Sequence, residues 1–305
     1  MLTKVKLVND GKIILGEDAV FSNLTDLYRG LFRVLELAVY TNEKELLQIL
    51  EKWAQNGTFM TLQSSNYLVH AGIIKTHQRY VYGITGHREF GDITFVTLFS
   101  KPSQNQKIGF ANTFQIKVDS TPFEAYRKIF DQANWPQLDF YRVNFLQNLA
   151  LSYDPLACDF LHYFLIGWQS GCHPIMEIPL SLTWLDDTHG TYWKLLPSLL
   201  NDGCIINRFG NTGIDTSMRK LFLTTGINIE FLLPFCLPKL KSTLENILKI
   251  GVLGTKGREK PSNEDPPSNE DTDKHDQNLK YPISSSIVIA TEVFVGEGEG
   301  RFEKG

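Results

Sequence analysis

Residues 92–118, DITFVTLFSKPSQNQKIGFANTFQIKV, contain two segments in which apolar side chains recur at every second position. This is the period of a β-strand that buries one face. Together with alternating segments from residue 58 onward, they predict four or five strands of an antiparallel meander. In the last strand the residues that share one apolar face are Ile108, Phe110, Phe114, Ile116 and Val118.

The region before these strands predicts a hairpin and two helices. VKLV and KIIL flank Asn9-Asp10-Gly11, and glycine accepts the positive φ of a tight turn. Residues 24–40 have apolar side chains at helical spacing. A second helix begins at Asn42, with Glu45 completing a capping box, and ends at Gly57.

The region after the strands, residues 119–254, is predicted to be mainly helical. Thr121, Pro122 and Glu124 mark one helix start, and another helix runs from Pro238 to Gly251. Shorter helices are predicted near 191–203 and 215–226, with a strand between 175 and 185.

Residues 155–168 in this region are apolar on nearly every side, which predicts a central buried helix. Its least accessible side chains are expected to be Phe160, Phe164 and Leu165.

The segment 255–280 interrupts the apolar pattern with two copies of PSNED. It has no aromatic residue, Val, Ile or Met and only one Leu, so burial cannot offset the entropy of ordering it. A flexible acidic linker is therefore predicted. The strand-like residues 286–295 that follow are too apolar to stay in water. They are expected to pair with the body of the protein, with something beyond residue 305 or with the sheet edge of a partner.

These elements predict an α+β fold, because helices and strands are partly segregated along the chain. The predicted organisation is an α+β region at 1–118, a mainly helical region at 119–254, the linker at 255–280, and a strand with a Gly/Glu tail at 281–305. The first two regions form one domain in the alternative interpretation.

Composition and charge narrow the class of protein. The chain of 305 residues is 42% hydrophobic and 21% charged, which is typical of a globular protein. The net charge of −4 lies entirely in residues 255–305, so the remainder lacks the basic excess of a non-specific nucleic-acid binder. No segment reaches the about 18 apolar residues of a membrane span, no secretory signal is recognised, and the four cysteines have no CxxC spacing. A cytoplasmic protein is expected.

The candidate site with the most specific chemistry lies on the two quoted strands. Asp92 opens one strand, and Gln115 and Lys117 share a face near the end of the next. This layout resembles that of restriction-type metal-dependent nucleases, which implies Mg²⁺ held by carboxylates and a lysine that stabilises the water or phosphate. Gln115 stands where such a site has an acid. Three further residues complete the candidate set: Glu89, Glu45 and His87, of which the two glutamates are potential metal ligands.

Other polar clusters are interpreted as structural features. Cys172, next to His173, is a catalytic thiol only if a histidine from elsewhere in the chain pairs with it. The candidates for that partner are His70, His77, His87, His162 and His189. Asp186, Asp187 and His189 are either metal ligands or a turn that caps a helix. His162 is interpreted as a core histidine that pairs with Asp159.

The leading functional hypothesis is a non-catalytic binding or regulatory protein, without a cofactor, whose acidic segment and final strand engage another protein or are open to proteolysis. The alternative is a Mg²⁺-dependent nuclease or phosphodiesterase that uses Asp92, Gln115 and Lys117, with nucleic acid as its substrate.

Overall fold

The computed structural model describes residues 6–7, 13–14, 38–55, 59–63, 68–76, 88–134, 137–138, 141, 160–169, 175–180, 204–205, 226–255 and 283–294. Within these residues helices combine with a mixed sheet, so the predicted α+β class is confirmed.

The described elements are eleven strands, four α-helices and three short 3₁₀ helices, the last at Pro102–Gln104, Leu233–Phe235 and Leu253–Thr255. The strands are β1 (Lys6–Leu7), β2 (Ile13–Ile14), β3 (Phe59–Gln63), β4 (Leu68–Lys75), β5 (Arg88–Lys101), β6 (Gln106–Asp119), β7 (Leu161–Gly167), β8 (Ile175–Pro179), β9 (Cys204–Ile205), β10 (Ile227–Asn228) and β11 (Ile283–Phe294). The helices are α1 (Glu43–Gln55), α2 (Pro122–Lys128), α3 (Ile229–Leu232) and α4 (Pro238–Ile250).

Nine of the eleven described strands form one sheet. Its strand order is β3-β4-β11-β5-β6-β7-β8-β9, and β10 pairs with β6. All pairs are antiparallel except β11 with β5 and β6 with β7. Strands from before and after residue 119 therefore lie in the same sheet. The short strands β1 and β2 pair antiparallel with each other, as the predicted hairpin requires.

The core lies on both faces of the sheet. One face, with Phe114 and Phe164, packs against Leu46 and Leu50 of α1. The other face, with Val96, Tyr163 and Leu165, packs against α2, α3 and α4. Central strands of this sheet are consequently buried on both sides, which explains why their sequences are apolar almost throughout.

The predicted meander is corrected at one position. β4 and β5 are consecutive among the described strands but do not pair, because β11 lies between them. β11 reads Ile287-Val288-Ile289 without alternation, and both faces of this segment are buried. A strand that is apolar on both faces is stable only inside a sheet with two covered faces, which fixes its central position.

The predicted central helix at 155–168 is wrong. Residues Leu161–Gly167 form β7, and residues 155–159 lie outside the described residues. The predicted burial is confirmed, because Phe160, Phe164 and Leu165 are 4%, 0% and 0% exposed. An apolar run without period fits a buried helix and a parallel strand equally well, and here the strand forms.

Helix starts agree with the sequence. The Asn42 side chain accepts a hydrogen bond from Glu45 N at 3.0 Å, and the Glu45 carboxylate accepts one from Thr41 N at 2.8 Å. Gly251, with φ of +80°, follows the last residue of α4. The predicted helices at 24–40, 191–203 and 215–226 lie wholly or mostly outside the described residues. The predicted linker at 255–280 also lies outside them, apart from Thr255.

Replacing the cap of α2 tests its contribution to stability. Thr121 Oγ1 accepts a hydrogen bond from Glu124 N at 3.1 Å, and Pro122 occupies the first helical position. Thr121→Ala is expected to lower the free energy of unfolding by about 1 kcal/mol in urea denaturation. The control is Thr243→Ala, because the Thr243 hydroxyl only bonds the Lys239 carbonyl inside α4. Equal losses in both variants would contradict a capping role for Thr121.

Candidate functional site

Asp92 lies at the point where β5 and β6 stop pairing. Their antiparallel ladder ends at Ile93↔Phe114, so the same register places Asp92 opposite Gln115. Beyond this point the Asp92 carboxylate, instead of a backbone carbonyl of β5, accepts the hydrogen bond from the backbone N–H of Ile116. Asp92 Oδ2 accepts hydrogen bonds from Gln115 Nε2 at 2.7 Å and from Ile116 N at 2.5 Å.

A β-bulge in β5 next to Asp92 contributes to this separation of β5 from β6. In the ladder with β11, Ser284 pairs with Glu89 and Ser285 pairs with Gly91, so Phe90 is the extra residue. Gly91 is needed there because a Cβ atom would collide with the Thr113 side chain and the Phe114 carbonyl. β-Bulges bend a strand and re-aim the residues that follow, and here the next residue is Asp92.

Lys117 extends the same face of β6 and joins it to two other parts of the chain. Its Nζ lies 3.0 Å from Asn134 Oδ1 and 3.4 Å from Glu43 Oε2, at the start of α1. Tyr141 OH donates to Gln115 Oε1 at 3.1 Å. These side chains are called the Asp92 cluster: Asp92, Gln115, Lys117, Glu43, Asn134 and Tyr141.

The Asp92 cluster is mostly closed to solvent. Asp92, Gln115 and Lys117 are 1%, 6% and 4% exposed, whereas the Glu43 side chain is 31% exposed. Two N–H donors stabilise the charge of Asp92, and the Glu43 carboxylate faces the Lys117 ammonium. Buried charges are tolerated when they are paired and hydrogen-bonded in this way. Glu43 and the equally half-buried Asn134 are therefore the members through which the cluster meets solvent.

The donor atoms of the Asp92 cluster suit a hard divalent cation. Asp92 and Glu43 supply carboxylate oxygens and Gln115 supplies an amide oxygen, the ligand types that Mg²⁺ prefers. Among the described residues, however, no group of three or more His, Cys, Asp and Glu side chains is arranged to hold a metal ion. A bound ion would thus depend on the Gln115 amide or on water for its remaining ligands.

The other residues of the predicted site lie elsewhere or are not described. Glu45, proposed as an extra ligand, caps α1, and its pKa is lowered by the hydrogen bonds from the Thr41 backbone and from Asn42. Glu89 lies on β5 opposite Ser284, and His87 is outside the described residues.

The remaining clusters from the sequence are only partly described. Cys172, His173, Asp186, Asp187, His189 and Asp159 lie outside the described residues. His162 lies on β7, and its Nδ1 is 2.7 Å from Glu177 Oε1, so its carboxylate partner comes from β8. Burial raises the pKa of the Cys236 thiol to about 12, so this cysteine stays protonated at neutral pH.

Three members of the Asp92 cluster were missed from the sequence. Glu43 and Asn134 approach Lys117 only because α1 and the segment after α2 pack near the end of β6, and Tyr141 is also distant in sequence from Asp92. A local signal existed only for Glu43, which occupies the first turn of α1, where acidic residues are favoured by the helix dipole.

None of the described helices is long and apolar enough to cross a membrane. No protein-family model, curated protein or solved structure matches this chain.

Proposed function

We propose that this protein is a divalent-metal-dependent phosphodiesterase acting on nucleic acid, with its reactive groups in the Asp92 cluster. The observation that supports the proposal most directly is the Asp92–Gln115 hydrogen bond, with Lys117 two residues further on the same face of β6. Asp92, Gln115 and Lys117 thus lie on two adjacent strands and one sheet face, with Gln115 at the position where the nuclease layout has an acid.

Each residue of the cluster has a role that follows from its chemistry. Asp92 and Glu43 would hold the cation through their carboxylate oxygens. Tyr141 orients the Gln115 amide by donating to its Oε1, while the Gln115 Nε2 donates to Asp92. When bound, the ion polarises a phosphoryl oxygen and lowers the pKa of a bound water. Lys117 neutralises the charge that develops on the phosphate.

The partly exposed side of the cluster is formed by Glu43 and Asn134. Because Lys117 is almost inaccessible and contacts both, a phosphate reaches its ammonium only when one of these contacts opens.

The test is cleavage of fluorescent DNA and RNA oligonucleotides, single- and double-stranded, in Mg²⁺ or Mn²⁺. Asp92→Asn is expected to lower the cleavage rate by at least about 100-fold, because a charge that stabilises the reaction is lost. Asp131→Asn is the matched control, since Asp131 is exposed and lies outside the cluster.

Two results would contradict the phosphodiesterase proposal. The first is an absence of metal-dependent cleavage by the unmodified protein with every one of these substrates. The second is cleavage that Asp92→Asn leaves unchanged while its circular dichroism spectrum shows a folded protein.

A second candidate function is the non-catalytic binding role, with a partner protein, that leads the sequence hypotheses. The observation that favours it is the near-complete burial of Asp92, Gln115 and Lys117, each bonded within the protein. A buried polar network of this kind specifies one strand register without performing chemistry. In that case Asp92→Asn destabilises the fold, and the unmodified protein cleaves no substrate.

A further inference from the structure

β11 occupies a position that the rest of the sheet leaves open. It pairs along one edge with β4, from Ile287↔Lys75 to Phe294↔Leu68, and along the other with β5, from Ile283↔Arg88 to Phe294↔Ser100. Since β4 and β5 do not pair with each other, removing β11 leaves a gap between them, here called the β4–β5 slot.

The β4–β5 slot encloses its strand, which has an apolar centre at residues 287–290 and buried polar residues on either side of it. Residues 283–293 of β11 are buried throughout, and Ile287 and Ile289 pack with Val69 and Ile73 of β4 in one core cluster. Long apolar strand edges of this kind pair readily with another strand. The strand whose sequence already fits both edges is β11, and every copy of the chain carries one.

A buried carboxylate fixes where β11 ends in the slot. Glu292 Oε1 accepts a hydrogen bond from Ser100 Oγ at 2.6 Å, and Glu292 Oε2 accepts one from Val252 N at 2.9 Å. A strand from another molecule would need a carboxylate at this position to satisfy the same two donors. This requirement favours a second copy over an unrelated apolar strand.

The chain that connects β11 to the body is longer than its return path. Val252 contacts Glu292, so the chain leaves the body near that end of β11 and comes back at Ile283. Nine residues of strand separate Glu292 from Ile283, which is about 30 Å. The 27 residues between Thr255 and Ile283 span up to about 90 Å when extended.

We infer that β11 is an exchangeable strand, and that two copies of this chain form a dimer in which each places β11 in the β4–β5 slot of the other. The ladders and apolar contacts are identical in monomer and dimer, so only the connection and the concentration decide between them. A connection of this length gives β11 an effective concentration on the order of 1 mM at its own slot. The monomer therefore dominates in dilute solution, and dimers accumulate as the protein concentration approaches that value.

Shortening the connection tests the inference, which does not rest on the phosphodiesterase proposal. Deletion of residues 258–281 leaves three residues, which span about 14 Å and cannot reach back along β11. This variant is expected to be a folded dimer by light scattering at about 10 μM, far below the effective concentration of the full-length connection. The matched control deletes residues 261–266, which leaves 21 residues, and is expected to remain a monomer.

A second measurement uses the full chain, so that misfolding of the short variant does not decide the outcome. Copies labelled with donor and acceptor fluorophores are unfolded in urea, mixed at about 1 mM and refolded together. Energy transfer is expected after joint refolding, and little when native copies are mixed, because exchange requires both ladders of β11 to break. A folded monomer for the 258–281 deletion, or no energy transfer after joint refolding, would overturn the inference.

Discussion

Phe164→Ala is expected to lower the free energy of unfolding by about 3–5 kcal/mol in urea denaturation. The Phe164 ring is 0% exposed and stacks on Phe114 with centroids 4.2 Å apart. Its backbone pairs with Ile116 on one side and Glu177 on the other, so β7 is held between two strands. Neighbouring side chains cannot collapse into the vacated volume without disturbing both ladders. The expected loss of unfolding free energy therefore lies in the upper part of this range.

An exposed phenylalanine provides the control for this loss. Phe231 is 68% exposed on α3, so Phe231→Ala is expected to change the free energy of unfolding by less than about 0.5 kcal/mol. If Phe164→Ala cost less than about 1 kcal/mol, β7 would not be a central strand of the core.

Phe164 shows what the sequence could predict about the core and what it could not. Its burial was predictable because residues 160–168 around it are apolar except for His162. Its secondary structure was not, because a strand covered on both faces lacks the alternation by which strands are recognised. The choice between helix and strand depended on whether β6 offered a free edge, which is a property of the whole sheet.

Local hydrogen bonds were more predictable than strand pairing. The caps at Asn42 and Thr121 join residues three positions apart, so their side chains and spacing are sufficient to identify them. The placement of β11 beside β4 joins residues more than two hundred positions apart, as in Val293↔Val69. Its apolar composition predicted that it pairs, but no local pattern identified which edge it would take.

The contacts of the candidate site were likewise predictable only in part. The period of a β-strand placed Gln115 and Lys117 on one face of β6, and the structure adds Asp92 to that face through the register of β5. The contacts of Lys117 with Glu43 and of Gln115 with Tyr141 depend on the packing of other segments against the sheet. They could not be read from the sequence of either strand.

Gln115→Glu is expected to separate the two candidate functions by its response to divalent ions. Gln115 Nε2 donates to Asp92 at 2.7 Å, so the substitution replaces a donor with a second carboxylate at contact distance. Two buried carboxylates at this distance cannot both ionise freely, and the pKa of one of them rises. A shift of about two units corresponds to a loss of about 2.7 kcal/mol at neutral pH.

The pH dependence of this loss has a defined sign. The pair binds a proton more tightly in the folded than in the unfolded state, so its folded pKa lies above its unfolded pKa. The stability of the variant is therefore intact below about pH 4 and falls as the pH rises through the raised folded pKa. Thermal unfolding at several pH values, relative to the unmodified protein, measures this trend.

Divalent ions are expected to reverse the loss if the Asp92 cluster holds a metal. The variant has one carboxylate at Asp92 and a second at position 115. Mn²⁺ or Mg²⁺ thereby gains a carboxylate oxygen as a ligand in place of the amide oxygen, which binds these ions less well. An ion at 100 times its dissociation constant stabilises the folded state by about 2.7 kcal/mol, enough to cancel the repulsion. The control is Gln48→Glu on the exposed face of α1, which is expected to show neither the loss nor the recovery. If Gln115→Glu stays destabilised in Mn²⁺ and Mg²⁺, the cluster is a structural network, because a site that held the cation would release the strain between its carboxylates by binding it.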